Sequence, residues 1–272
     1  MGRNAGFAAA VNRGIHEAKC EWIAILNNDV ELAPDYFEKL LKAGVPFATG
    51  KILNATGRAN CQLDGTYDLT CRGGTTWRAG HARPDSPVFS LEREIHSPPW
   101  TAALIRGEVF EKVGLLEETF GSYLEDVDFG LRCAALGLSG RYVPTARAWH
   151  LGSATLGPWH PEIVRLMARN QLLILARHYP VRFLFVWLWP ILVAQILWGA
   201  VALRHGAGLA WLRGKWQGLR SFSGARRSHP PMDRELLEPI LRIDEQMIRE
   251  VQAATGFDWY WKLYFLLTGG AK

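Results

Sequence analysis

Three stretches of this sequence combine residue types that could do chemistry. In the first, Leu26-Asn27-Asn28-Asp29, a short apolar run ends in two carboxamides and a carboxylate. A carboxylate at the carboxyl end of a strand can hold Mg²⁺ or Mn²⁺ together with substrate phosphates; the same residue can equally form a turn and cap the segment that follows. The second stretch, Tyr123-Leu-Glu-Asp-Val-Asp-Phe, sets Glu125, Asp126 and Asp128 within four residues. At a helix start such acids are stabilised by the dipole and the free amides, which by itself accounts for them. Glu125 and Asp128 nevertheless share a helix face while Asp126 points about 100° away, so one carboxylate could face a crevice as a general base while its neighbours orient other groups. The third stretch is Trp149-His150-Leu-Gly-Ser, whose imidazole is either a structural group or a ligand for a first-row metal.

The pattern around these residues predicts the elements that carry them. Residues 5–19 set Ala and Gly against polar groups and read as a helix; Glu21-Trp-Ile-Ala-Ile-Leu is too brief for a helix and reads as a buried strand. Asn27-Asn28-Asp29 closes that strand, and Pro34 opens a helix reaching about Lys42. A strand over Phe47–Leu53 follows. From Asn54 to Ile95 the chain is rich in Gly, Thr, Arg and Asp, which predicts hairpins and a long excursion, not packed core, of the kind that carries specificity. Strand Trp100–Arg106, helices Gly107–Val113 and Leu124–Leu136, and a strand from Arg141 complete the series, with a turn at Pro144 before His150. Strands alternating with helices predict an α/β fold with a mainly parallel sheet and a ligand crevice at the carboxyl ends of its strands, where Asn27-Asn28-Asp29 sits.

The chain has 272 residues, 49% hydrophobic and 21% charged, which excludes disorder and accommodates one large or two small domains. Its Cys20, Cys61, Cys71 and Cys133 show neither a CxxC pair nor zinc-site His spacing. They read as small buried hydrophobes in a reducing compartment, with a Cys61–Cys71 bridge as the alternative. Met1-Gly-Arg-Asn-Ala-Gly has no apolar h-region, so no secretory signal peptide is expected in it.

Charge divides the chain at about residue 180. Residues 1–180 hold 19 Lys+Arg against 19 Asp+Glu, and residues 181–272 hold 12 against 7; from Val181 to Met232 there are seven basic residues and no acid. Seven of the 12 Trp also lie beyond residue 180. A basic, Trp-rich, apolar segment points to a membrane surface, not nucleic acid. Phe183–Leu203 is a run of 21 uncharged residues, long enough to span a bilayer core. Pro190 and Gln195 within it, and four basic residues on either flank, favour a helix in the interface or a re-entrant one over a clean span. Asp258–Leu267, too short to cross, reads as a second interfacial contact, with a buried pair of core helices as the alternative for both segments. The division expected is a 1–180 α/β domain and a 181–272 helical, membrane-associated tail, whose removal should leave 1–180 soluble.

Taken together and in order, Asn4-Ala-Gly-Phe-Ala-Ala-Ala-Val-Asn-Arg-Gly-Ile, Leu26-Asn-Asn-Asp-Val, Tyr123-Leu-Glu-Asp-Val-Asp and Tyr142-Val-Pro with Trp149-His150-Leu-Gly-Ser resemble the inverting family 2 glycosyltransferases, and among them the rhamnosyltransferase-like branch that elongates bacterial surface polysaccharides. The resemblance implies a GT-A fold and a nucleotide-diphosphate-sugar donor, with a lipid-linked or cell-envelope glycan as acceptor. It implies Asp126 as the base that deprotonates the acceptor hydroxyl, Glu125 as the group that positions the acceptor, Asp29 as a ligand of a divalent cation, and His150 as a further contact to that metal or to the diphosphate. Asn4, Gly6, Phe7, Asn12, Asn27 and Asn28 fall toward the donor. A donor of this kind is cytosolic, so the resemblance places the protein at the cytoplasmic face of the cell membrane.

The sequence departs from the family at three places. The family's Asp-x-Asp motif is here Asn27-Asn28-Asp29, leaving Asp29 as its one carboxylate, and Glu117-Glu118-Thr119-Phe120-Gly121 stands where an Asp and paired Phe are usual. Met1 falls three residues before Asn4, where family members have about two strands and a helix that hold the nucleotide; a sheet incomplete at its N-terminus is therefore expected, from a start set too late or a fragment. Two other classes of function stay open: a non-catalytic remnant or subunit binding glycan or a partner enzyme, and a metal-dependent phosphohydrolase.

Overall fold

The computed structural model describes residues 6–56, 62–152, 157 and 159–269; Asn4 and Cys61, and with Cys61 the bridge to Cys71, lie outside them. In chain order the elements are α1 (Phe7–Glu17), β1 (Trp22–Leu26), β2 (Val30–Leu32), α2 (Tyr36–Lys42), β3 (Phe47–Asn54), β4 (Leu63–Gly65), β5 (Asp68–Thr70), β6 (Thr76–Arg78), β7 (Arg93–Ile95), β8 (Ala102–Arg106), α3 (Gly107–Val113), α4 (Glu125–Ala135), β9 (Gly140–His150) and the helices α5 (Pro161–His178), α6 (Val181–Val186), α7 (Leu188–Arg204), α8 (Gly208–Ser228), α9 (Arg234–Thr255) and α10 (Trp259–Thr268). They form two compact units. One comprises residues 1–68, 78–121 and 125–154, the other 69–77, 122–124 and 155–272.

The first unit is built on a seven-stranded sheet of order β1-β8-β3-β9-β2, with β4 beside β3 and β7 beside β9. The sheet is mixed, but the expectation that it is mainly parallel is corrected: β3 and β9 run parallel, and the pairs β1–β8, β3–β8, β3–β4, β7–β9 and β2–β9 are antiparallel. Strand–helix alternation implies parallel pairing only where sequential strands are neighbours. Here β8 separates β1 from β3, and β2 lies at the far edge. β1, expected to be buried, is an edge strand with Ala24 and Leu26 exposed. On one face of the sheet Tyr36 and Leu40 of α2 pack on Ala48, Ile52, Leu104 and Ala148. Tyr36 pins that layer, its hydroxyl donating to Ala102 O at 2.7 Å and accepting from Gly50 N at 3.0 Å. Trp100, Phe110 and Phe129 form an aromatic cluster that joins α3 and α4.

Two local expectations change as well. Residues 63–75, read as an excursion outside the core, are all buried. Several of their polar side chains are satisfied inside the protein, as where Thr66 Oγ1 donates to Ala79 O at 2.8 Å; polarity alone does not distinguish such a segment from a solvated loop. Pro144 does not end a strand. β9 continues through it to His150, and its register against β3 jumps from Gly50↔Val143 to Lys51↔Arg147, so the intervening residues bulge.

The second unit is helical. α5, expected with the α/β domain, groups instead with the helices after it. The cause lies in α8, where a Cβ on Gly214 would sit 2.3 Å from Arg165 O and one on Gly218 2.9 Å from Arg169 O, so only glycine lets the two helices approach this closely. The Phe183–Leu203 run is broken at Trp187, and among the described residues no helix is long and apolar enough to cross a membrane. The ribbon segment 69–77 is held in this unit by α9: Asp244 and Glu245, both fully buried, accept the backbone N–H groups of Thr70 and Arg72 at 2.7 and 2.9 Å.

Candidate active site

The acidic stretch opens α4, where Glu125, Asp126 and Asp128 occupy the first turn and all three are buried. The two residues before it, Tyr123 and Leu124, hold left-handed φ angles of 70° and 67°. Non-glycine residues adopt that region at a cost, and consecutive ones mark a site whose surroundings over-determine the backbone. Within the helical unit, Asn170 of α5 supplies such a constraint by donating to the carbonyls of Ser122 and Tyr123 at 2.9 and 2.6 Å.

The three carboxyls diverge in role. Asp128 Oδ2 accepts from Arg132 Nε at 3.0 Å, and Arg132 also donates to Val113 O and Leu115 O, so Asp128 ties α4 to the end of α3. Asp126 Oδ1 accepts Val127 N–H at 2.9 Å, and its Oδ2 lies 3.4 Å from Arg78 Nη2. Burial, with the nearby Asp68 charge, pushes the Asp126 carboxyl up to about 7, against the opposing pull of Arg78. Glu125 is raised well above the usual carboxylate range by burial and by Asp126, and its Oε2 is buried without a hydrogen-bond partner.

Arg78, Asp68 and Asp64 carry no spacing signal in the sequence, yet they join the acidic cluster to the Asn27-Asn28-Asp29 turn. Arg78 grips Asp68 through two contacts, Nε to Oδ1 at 3.1 Å and Nη2 to Oδ2 at 3.2 Å. It also donates to Thr101 Oγ1 at 3.2 Å, while the carbonyl of Thr101 accepts from Asn27 N at 3.0 Å. Burial works against its charge, but Asp68, Asp126 and Asp64 outweigh that and raise it, so the guanidinium stays cationic. Room for the side chain comes from Gly65, where a Cβ would fall 2.3 Å from Arg78 Cδ.

Asp29 and His150 come together across the β2–β9 pair, with Asp29 Oδ1 3.1 Å from His150 Nε2. On its other side, His150 Nδ1 lies 3.0 Å from Asp64 Oδ2. Burial lowers the imidazole's basicity, but the hydrogen bond and charge of Asp64, with the charge of Asp29, raise it overall. An imidazole whose far nitrogen is held by a carboxylate, facing a second carboxylate, is a donor set that fits a divalent cation. Among the described residues no third His, Cys, Asp or Glu completes a cage, so substrate oxygens and water would have to supply the remaining ligands.

The other sequence-derived positions separate. Asn27 Nδ2 lies 3.3 Å from His150 Nε2, and Asn28 is exposed at the turn. Gly6 caps α1 and Phe7 begins it, next to Ala8, whose N–H reaches Gly121 O at 3.0 Å. Asn12 differs from the expectation of donor binding. It is buried, and its carboxamide is taken up by Leu116 O, Leu116 N and Glu118 Oε1 at 2.9, 2.9 and 3.0 Å, which anchors α1 to the segment before α4.

A mixed sheet with an acidic helix start beside a strand-end Asn-Asn-Asp turn is a GT-A-like architecture, the class shown by a crystal structure of GalNAc-T7 with UDP, GalNAc and Mn²⁺. The two superpose with a TM-score of 0.52 at 13% identity, over 74% of this chain and 39% of that one. In sequence, the Glycosyl transferase family 2 pattern matches residues 1–45. The N-acetylglucosaminyl-diphospho-decaprenol L-rhamnosyltransferase of Mycobacterium tuberculosis, in strains CDC 1551 / Oshkosh and ATCC 25618 / H37Rv, is 25% identical over 233 residues, 75% of this chain and 72% of the relative. The galactofuranosyltransferase GlfT2 of the H37Rv strain is 22% identical over 199 residues, 66% of this chain, which spans 31% of that longer protein. By their names these relatives are a rhamnosyltransferase and a galactofuranosyltransferase, and they indicate a glycosyltransferase.

Proposed function

We propose that this protein transfers a sugar from a nucleotide-diphosphate-sugar to a hydroxyl of a lipid-linked or cell-envelope glycan, with inversion at the anomeric carbon. The observation that carries this reading is Asp126, a buried carboxyl at the start of α4 whose proton affinity is raised to about neutrality. A base of that strength is substantially ionised at cytosolic pH and still has the driving force to take a proton from an attacking hydroxyl. Glu125, whose neutral form is favoured by burial and by Asp126 and whose buried Oε2 has no hydrogen-bond partner, is the neighbouring group that would orient the acceptor. Arg78 remains charged and holds the ionised base in place.

Asp29 and His150 would hold Mg²⁺ or Mn²⁺, and the cation would offset negative charge on the leaving diphosphate. Asp64 fixes the imidazole so that Nε2 faces Asp29. Asn27 and Asn28 lie at the same turn and supply carboxamide groups toward the donor. The exposed apolar and basic residues of α6–α8 support seating on the cytoplasmic face of the membrane, where a cytosolic donor meets a lipid-linked acceptor.

The test is transfer from a panel of nucleotide-diphosphate-sugars to an N-acetylglucosaminyl-diphospho-prenol acceptor. Asp126→Asn should cut turnover by roughly 10²–10⁴-fold while donor affinity stays level, since a general base acts mainly on the transition state. Turnover close to that of the unaltered protein would remove Asp126 from the role of base.

A further inference from the structure

Within the helical unit, three arginines gather beside an exposed apolar face. Arg182, Phe185 and Val186 share one side of α6 by their spacing, and Phe185 and Val186 are 74% and 60% exposed. Arg234 and Arg242 of α9 lie four residues to either side of Glu238, which bridges them at 3.3 and 2.7 Å. A cavity of about 240 Å³ is lined by Arg182, Val186, Trp187, Arg234, Glu238 and Arg242. Three guanidiniums thus meet a single carboxylate there, with Glu235 in the adjoining groove along α9. Among the described residues Arg182 has no ion-pair or hydrogen-bond partner.

We propose that this cavity binds the phosphate of an anionic phospholipid headgroup, with Phe185 and Val186 entering the acyl boundary beside it. The proposal rests on the membrane reading above and assigns residues to it. Three features point to a bilayer lipid. The apolar face continues along α7 through the exposed Trp189, Leu192 and Ile196, and Trp189 Nε1 donates to Leu267 O at 2.8 Å, joining it to α10, where Leu266 is 73% exposed. No acid occurs between Val181 and Met232 to repel an anionic surface. Arginine side chains that border an exposed apolar stripe, with Trp within the stripe, match the chemistry of a headgroup layer.

The experiment is co-sedimentation of the full chain with phosphatidylcholine vesicles and with vesicles in which about a quarter of the lipid is phosphatidylglycerol. Two double variants are compared, Arg182→Gln with Arg242→Gln, and Phe185→Ser with Ile196→Ser, together with competition by free glycerol phosphate. The unaltered chain should prefer the anionic vesicles; the arginine variant should lose roughly fivefold per charge on those vesicles and keep its weaker binding to neutral ones. The serine variant should weaken on both. Unchanged anionic preference in the arginine variant would overturn the headgroup site and leave the membrane reading standing. Failure of the unaltered chain to sediment with either vesicle would overturn the membrane reading itself. Release by millimolar glycerol phosphate would reassign the cavity to a soluble phosphate and overturn the proposal.

Discussion

Asp126 and His150 show what single residues in a sequence disclose and what they do not. Both were legible as reactive types, because a carboxylate cluster at a helix start and a histidine after a strand stand out locally. Their tuning groups were not: Arg78 lies 48 residues from Asp126 and Asp64 lies 86 from His150, in a Gly- and Thr-rich segment where a lone charge has no periodicity to read. The raised Asp126 carboxyl carries a stability consequence. A carboxyl whose proton affinity is higher in the fold than in the unfolded chain favours folding in its neutral form. That advantage is complete below pH 4 and is lost as pH rises through about 7. Asp126→Asn, which mimics the neutral form, should therefore raise the Tm at pH 8, with a difference that shrinks as the pH falls toward 4. A lowered Tm at pH 8 would show that burial does not raise the carboxyl. For the cation pair, Asp64→Asn leaves Asp29 and His150 in place but weakens the hold on Nδ1. Mn²⁺ affinity, followed calorimetrically, should fall by roughly 10–100-fold; an unchanged affinity would detach Asp64 from the site.

At the scale of elements, local patterns located β1, β3, β8, the start of β9 and helices α1–α4, while pairing came from contacts the pattern does not encode. β9 shows the difference. Its apolar residues announced a strand, but its continuation through the Pro144 bulge to His150 depends on β3 and β2 flanking it. The 63–75 segment misled for a related reason, since several of its buried polar groups, among them Thr70, Arg72 and Thr75, are satisfied by partners distant in the chain. Arg72 is the clearest case, with Nε donating to Glu245 Oε2 at 2.8 Å while Glu245 Oε1 accepts from Tyr264 OH at 2.6 Å. Glu245→Ala would leave a buried guanidinium, an amide and a phenol without their acceptor. Removing one partner of a buried pair costs about 3–5 kcal/mol, and urea unfolding should show a loss of that order. A loss below about 1 kcal/mol, the worth of an exposed pair, would mean that the clamp is not formed in solution.

For the whole molecule, charge and Trp content suggested a cut at residue 180 with a soluble α/β part before it. The units are instead interleaved along the chain, which passes from one to the other at 68/69, 77/78, 121/122, 124/125 and 154/155. No single truncation separates them. Removing residues 181–272 takes away Asp244, Glu245 and Tyr264 from the 69–77 segment and strips α5 of α8, against which Gly214 and Gly218 let it pack. What remains keeps Arg72 without Glu245, and Leu172 and Ala168 of α5 without the Gly214 and Gly218 surface of α8 that they pack against. Exposed apolar surface of that extent drives association. The 1–180 piece should therefore aggregate, eluting in the void volume on gel filtration and binding a hydrophobic dye, even though the most apolar run of the chain has been removed with the tail. A monodisperse 1–180 with native-like near-ultraviolet dichroism would show that the helical unit does not need α6–α10, and would restore the boundary that composition alone suggests.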